Sequence, residues 1–220
     1  VQDYSSPDSD DSTWRILSLP HDWSIEGDFS LDNPSTPGGG ALPGGIGWYR
    51  KTFTLPETDR DKVIYVDFDG VYRNSEVWIN GHSLGFRPNG YVSFRYDLTP
   101  YLRYGSQPNV IAVKADNSEQ PNSRWYSGSG IYRNVWLVKV NPVHVDNWGT
   151  FVHDMKISSE EATFALEVRI RNSSEADREA EVSTSIYDDR NKVVTASVTT
   201  LLRVPYTPCY DTRMREASVD

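Results

Sequence analysis

The residues of this chain whose types and spacing could support chemistry are His21 beside Asp22, the pair Asp67 and Asp69, and the run Arg124-Trp125-Tyr126. His21 and Asp22 are a general-base pair in composition only. Adjacent residues rarely face one another, and no nucleophile is spaced to join them, so His21 reads as structural. Asp67 and Asp69 stand two apart and could share one strand face. Their position before Gly70 reads more simply as solvated turn carboxylates. The four histidines, His21, His82, His144 and His153, show no metal-ligand spacing. Gly38-Gly39-Gly40 and Gly44-Gly45 lack the Lys-Ser/Thr ending of a phosphate loop and open no helix, which argues against nucleotide binding.

Arg124, Trp125 and Tyr126 carry the clearest binding signal. They sit in Asn122-Ser-Arg-Trp-Tyr-Ser-Gly-Ser-Gly130, just before the apolar, β-branched run Val135 to Val140, which reads as a buried strand. Gly128 and Gly130 allow a tight turn or positive φ where the two rings and the guanidinium emerge. Rings beside a planar cation on a bent loop suit a sugar or an aromatic ligand. The same rings could equally plug one end of a β-sandwich.

The elements that must position this loop are short strands. Strands are expected at Trp48 to Leu55, Val63 to Phe68, Glu76 to Ile79, His82 to Phe86, Phe94 to Asp97, Asn109 to Ala115 and Val135 to Val140. Asn80-Gly81 between two of them is a strong hairpin signal. Thr99-Pro100 should cap and start one helical turn. Pro20 and the aromatics of Leu17 to Phe29 suit an edge segment laid across a sheet, while residues 1 to 13 read as a frayed or loosely docked start. Many strands, Gly/Pro turns and almost no helix give an all-β fold, a β-sandwich.

Composition bounds the partners. A chain of 220 residues with 7 Trp and 13 Tyr has ample core. Its formal net charge of −9 argues against nucleic acid or an anionic membrane as partner, and is compatible with neutral carbohydrate. One cysteine, Cys209, excludes an internal disulfide framework and a Cys-based metal cluster. No apolar run reaches the ~20 residues of a spanning helix. The start at Val1 rather than Met suggests export, periplasmic or secreted, with a leader removed, though an arbitrary cut in a longer chain explains it equally well.

Asn141-Pro142 marks an expected domain boundary. Beyond it, Phe164, Leu166, Val168 and Ile170 alternate with Ala165, Glu167, Arg169 and Arg171 as a half-buried strand. Val182, Thr184 and Ile186 repeat the pattern, and Asp188 to Asn191 turns into a strand at Val193 to Val198. Residues 1–141 and 142–200 are thus expected as separate β units, with 201–220 an unassigned tail.

Arg124-Trp-Tyr-Ser-Gly-Ser-Gly-Ile-Tyr-Arg-Asn-Val-Trp136 resembles the signature closing the N-terminal sugar-binding domain of family-two glycoside hydrolases, the β-galactosidase and β-glucuronidase group. Leu19-Pro-His-Asp-Trp23, Gly47-Trp-Tyr-Arg-Lys51, Gly70-Val-Tyr-Arg-Asn-Ser-Glu-Val-Trp-Ile-Asn-Gly81, Gly90-Tyr-Val-Ser-Phe94 and Asp97-Leu-Thr-Pro-Tyr-Leu102 are similar to the same family in the same order. This ordered series covers roughly the first two-thirds of the chain and looks closest to the β-galactosidase-like members. The resemblance implies a galactose-binding-domain-like jelly roll, then the start of an immunoglobulin-like sandwich. It also implies a parent enzyme hydrolysing terminal β-glycosidic bonds with retention.

In the family, the acid/base and nucleophile lie on a later (β/α)8 barrel, about 5–5.5 Å apart. Nothing here resembles that barrel, so no catalytic residue, metal or cofactor is expected in this chain, and the missing barrel is an expected partner. The family's N-terminal loops help hold the terminal sugar, and prominent members carry an acid six positions before the Gly of Gly-Ile-aromatic-Arg. Here that position is Arg124. Either Asp116, in Ala115-Asp-Asn-Ser118, supplies a carboxylate from the adjoining loop, or the hydroxyl contacts are built differently. Asp116, Asn117, Arg124, Trp125 and Tyr126 are therefore the expected sugar contacts, with galactose the candidate sugar. A free-standing carbohydrate-binding module and a structural or adhesive β-sandwich are the alternatives.

Overall fold

The computed structural model describes residues 2–194 and 197–207, and only the backbone of Asp154 and Met155. Thr195 and Ala196 of the expected strand Val193 to Val198, and the tail from Pro208 with Cys209, lie outside the described residues. The described chain is all-β and falls into two compact units that divide between Lys139 and Val140.

In the first unit the strands are β1 (Gly45–Phe53), β2 (Val63–Phe68), β3 (Ser75–Ile79), β4 (His82–Arg87), β5 (Phe94–Asp97), β6 (Asn109–Asn117) and β7 (Val135–Val140). They form one sheet of order β1-β6-β3-β4 and another of order β5-β2-β7. Val77, Ile79 and Val113 of the first sheet share one buried cluster with Val66, Phe68 and Tyr96 of the second. Two sheets facing a common apolar layer are a β-sandwich. Asn80 and Gly81 join β3 to β4 with φ of 50° and 84°, the positive values that a two-residue hairpin demands.

Local differences from the sequence reading have physical causes. β7 is only partly buried: Val135 packs against the core cluster, while Trp136 is 54% exposed. Asp67 is no solvated turn residue, since register places Arg95 opposite it and the guanidinium donates twice to its carboxylate at 2.6 Å. Thr99 does not cap its own short 3-10 turn (Thr99–Tyr101). Its hydroxyl accepts the Ile64 N–H at 2.9 Å.

The N-terminal segment is firmly held rather than frayed. Arg50 of β1 donates Nε to Asp11 at 2.8 Å. Its other nitrogens donate to the carbonyls of Tyr4, Ser6, Pro7 and Ser9 at 2.6–3.3 Å. All five guanidinium donors are matched. The Arg50 side chain is only 3% exposed.

The second unit contains β8 (Val143–Ile157), β9 (Ala162–Asn172), β10 (Arg178–Thr184) and β11 (Val198–Val204). They pair antiparallel as β8-β9 and β10-β11. The register of β8 breaks between Val145 and Thr150, where Trp148 takes φ of 50°. β11 runs past residue 200, so part of the segment expected as tail is strand, paired from Val204 opposite Arg178. Asp188 to Asn191 does turn, with the Asp188 N–H donating to the Lys192 carbonyl at 2.9 Å.

Candidate sugar-binding loop

The loop after β6 is built on backbone pairing behind it. Tyr72 and Gly130 exchange two hydrogen bonds of 2.8 and 2.9 Å. On the other side His21 N–H donates to the Ile131 carbonyl at 2.8 Å, and Trp23 N–H to that of Ser129 at 3.0 Å. The Leu19-Pro-His-Asp-Trp23 segment is thus laid against the loop's return. Gly130 is required there: its φ is 121°, and a Cβ would fall 2.2 Å from the Tyr49 hydroxyl.

Two polar side chains fix the loop from within. Asn117 is buried, and its amide donates to the Gly128 carbonyl at 2.9 Å and the Ser129 hydroxyl at 2.8 Å. Its own oxygen accepts from Asn122 at 2.6 Å. Asp22 accepts the N–H groups of Ser24 and Ser129 through one oxygen, each at 2.9 Å, and the Tyr126 hydroxyl through the other. Burial pushes the Tyr126 phenol well above its ordinary pKa, and the bond to the Asp22 carboxylate and its charge add to the shift. Asp22 therefore serves the loop and not His21. His21 bonds the Tyr49 hydroxyl through Nδ1 at 2.8 Å and Glu26 through Nε2 at 3.2 Å, consistent with a structural role.

The expected contact residues separate accordingly. Trp125 is 78% exposed, and Arg124 is exposed with no hydrogen-bond or ion-pair partner among the described residues. Trp125 does not plug the sandwich. Tyr126 is tied down by its hydroxyl and packs near Gly40. Asn117 stands behind the loop rather than on its surface. Asp116 lies at the end of β6, not in a loop. One of its oxygens is occupied by the Ser118 N–H and hydroxyl at 3.1 and 2.5 Å, and the other lies 3.9 Å from Lys114 Nζ. No group of three or more His, Cys, Asp or Glu placed to hold a metal occurs among the described residues. No described helix is long and apolar enough to cross a membrane.

The Asp22 pin escaped sequence reasoning because it reaches over a hundred positions along the chain. The side-by-side His21-Asp22 drew attention to the wrong pairing.

The first unit is thus a β-sandwich with an aromatic and a cation exposed on a pinned loop. Residues 28–141 match the model of the glycosyl hydrolases family 2 sugar binding domain, and the chain belongs to that family. It is 55% identical over 190 residues to a β-galactosidase, BoGH2A, of Bacteroides ovatus, covering 86% of this chain and 22% of that protein. To a β-glucuronidase of Formosa agariphila it is 33% identical over 208 residues, covering 85% and 21%. The crystal structure of a β-glycosidase from Bacteroides vulgatus is similar at 45% identity with a TM-score of 0.83, covering 90% of this chain and 25% of that one. The chain thus spans about a quarter or less of the length of these relatives.

Proposed function

We propose that this chain is the sugar-holding, non-catalytic part of an exo-acting β-glycosidase of the β-galactosidase type. The 122–129 loop would bear on the terminal sugar, and a barrel domain would supply the two carboxylates. The observation that carries the reading is the contrast within the loop. Asn117 and Asp22 spend their hydrogen bonds fixing the backbone, while Arg124 and Trp125 are left to solvent. A guanidinium fork can donate to vicinal hydroxyls, and an indole face can cover the apolar side of a pyranose. Likeness to proteins named β-galactosidase and β-glucuronidase supports a terminal β-linked sugar. The higher identity to the former favours galactose.

Titrating galactose into the chain while following amide and indole signals tests this. We expect affinity near the millimolar range, about −4 kcal/mol, with Trp125 shifting and Arg124→Ala weakening the response. An unmoved Trp125, with Arg124→Ala making no difference, removes the loop from the site. The chain alone should not hydrolyse chromogenic β-galactosides, and turnover surviving removal of host enzyme would overturn the assignment of chemistry to a barrel.

A further inference from the structure

A cleft of about 250 Å³ opens beside β1, and Trp14, Arg15, His21, Trp23, Trp48 and Tyr49 are among its lining residues. Four consecutive residues of β1, Ile46 to Tyr49, line it. Only the edge of a strand can do this, and β1 is an outer strand of its sheet. Backbone groups on that edge are not committed to β6. Clefts for drug-sized ligands begin at about 300 Å³, so this one suits a molecule the size of a single sugar ring.

Its walls combine the two chemistries that a sugar presents. Indoles offer flat apolar faces, and these are held in place before any ligand arrives. Trp14 packs edge-on against Tyr4 at 4.8 Å between centroids, and Trp48 stacks on Trp78 at 5.3 Å. The Trp48 indole N–H is buried and makes no hydrogen bond among the described residues. At the rim, Arg15 pairs with Glu26 and reaches His21 Nε2 at 2.9 Å. The Arg15 and Glu26 charges cancel, so the rim offers donors and acceptors without a net charge to draw an anion.

We propose that this cleft is a second saccharide site, taking one neutral pyranose residue with its apolar face on the Trp14 and Trp23 indoles and its hydroxyls at Arg15 and His21. It shares no residue with the exposed face of the 122–129 loop and stands independently of the reading given to that loop.

The test is a titration of the 220-residue chain with the methyl β-glycosides of galactose, glucose and xylose, and with methyl β-glucuronide. The indole N–H signals of Trp14, Trp23 and Trp125 are followed separately. At least one neutral glycoside should shift Trp14 and Trp23, with the acidic one no more effective. The shifts should persist in Trp125→Ala and weaken at least threefold in Arg15→Ala, a rim substitution that leaves the core intact. Trp14→Ala should abolish the Trp23 response, and retained amide dispersion shows that the variant is folded. Cleft indoles unmoved by all three neutral glycosides, or equal shifts in Arg15→Ala, overturn the site. Movement of Trp125 alone leaves the loop reading standing and removes the cleft.

Discussion

The two units of this molecule use similar strand sequences to different ends. In the first, alternating apolar residues find a facing sheet: Phe68 is 1% exposed and shares a buried cluster with Val77, Ile79 and Val113 of the other sheet. In the second, β8 to β11 make two-stranded ribbons, and the alternation of β9 leaves Phe164 47% exposed. Phe151 and Val152 of β8 are more exposed still. Backbone pairing alone makes a ribbon. A facing apolar layer is what turns a ribbon into a core, because a two-stranded sheet is marginal by itself.

The largest effect should separate the units by truncation of the same residue type. Phe68→Ala removes a ring from a closed layer and should cost about 3–5 kcal/mol, read as a lowered denaturation midpoint of the first unit. Phe164→Ala removes a ring that water already reaches and should cost under about 1 kcal/mol. Comparable losses at the two positions would break the comparison.

Arg50 gives the next effect, and it sharpens the point that burial of a charge needs complete pairing. Its five donors meet four carbonyls and the Asp11 carboxylate. Arg50→Ala leaves those acceptors unmatched and should cost about 2–3 kcal/mol. Limited proteolysis should then cut within residues 4 to 11. Arg50→Lys should not restore resistance, since an ammonium has three donors and no fork. Resistance unchanged in either variant would show that Tyr4 and Trp14 anchor the segment without the guanidinium.

What was legible in the sequence follows from range. Alternation in Val63 to Phe68 and the Asn80-Gly81 turn are local, and strands β2 to β6 stand close to where the residues place them. Family motifs marked the loop of Arg124 and Trp125. The Arg50 clasp and the Asp22 pin were not legible, because each joins segments dozens of positions or more apart and its partners are largely backbone groups that any sequence supplies. The exposure of β7 and of the β8 and β9 apolar faces was also hidden. Apolar alternation shows which face seeks a partner and says nothing of whether these residues provide one.

Within the first unit, the pinned loop can be compared with the core beneath it. Asp22→Asn keeps the size of the side chain and removes its charge, weakening the bonds from Ser129, Ser24 and Tyr126. The cost should be about 1 kcal/mol or less in global stability. Hydrogen exchange should rise at Ser129, while Val66 in β2 keeps its protection. Equal acceleration at both sites would mean that the loop and the core open as one.

The effect that is smallest at neutral pH belongs to the aromatic layer under the loop and shows only as a dependence on alkaline pH. Burial raises the Tyr49 pKa to about 12, with the Asp22 charge adding to it and the Ile131 backbone opposing it. The unfolded phenol titrates near 10. Because the folded value is the higher one, the contribution of Tyr49 is fully present below pH ~10. It is lost as pH rises toward 12, where the unfolded chain has already released its proton. Stability of the first unit should therefore be level from pH 7 to 9 and fall between 10 and 12. Tyr49→Phe should shallow that fall while also losing the bond to His21, made at 2.8 Å. A slope between pH 10 and 12 identical in both chains would assign the alkaline loss to other tyrosines, with Tyr126, whose phenol is also raised by burial, the next to substitute.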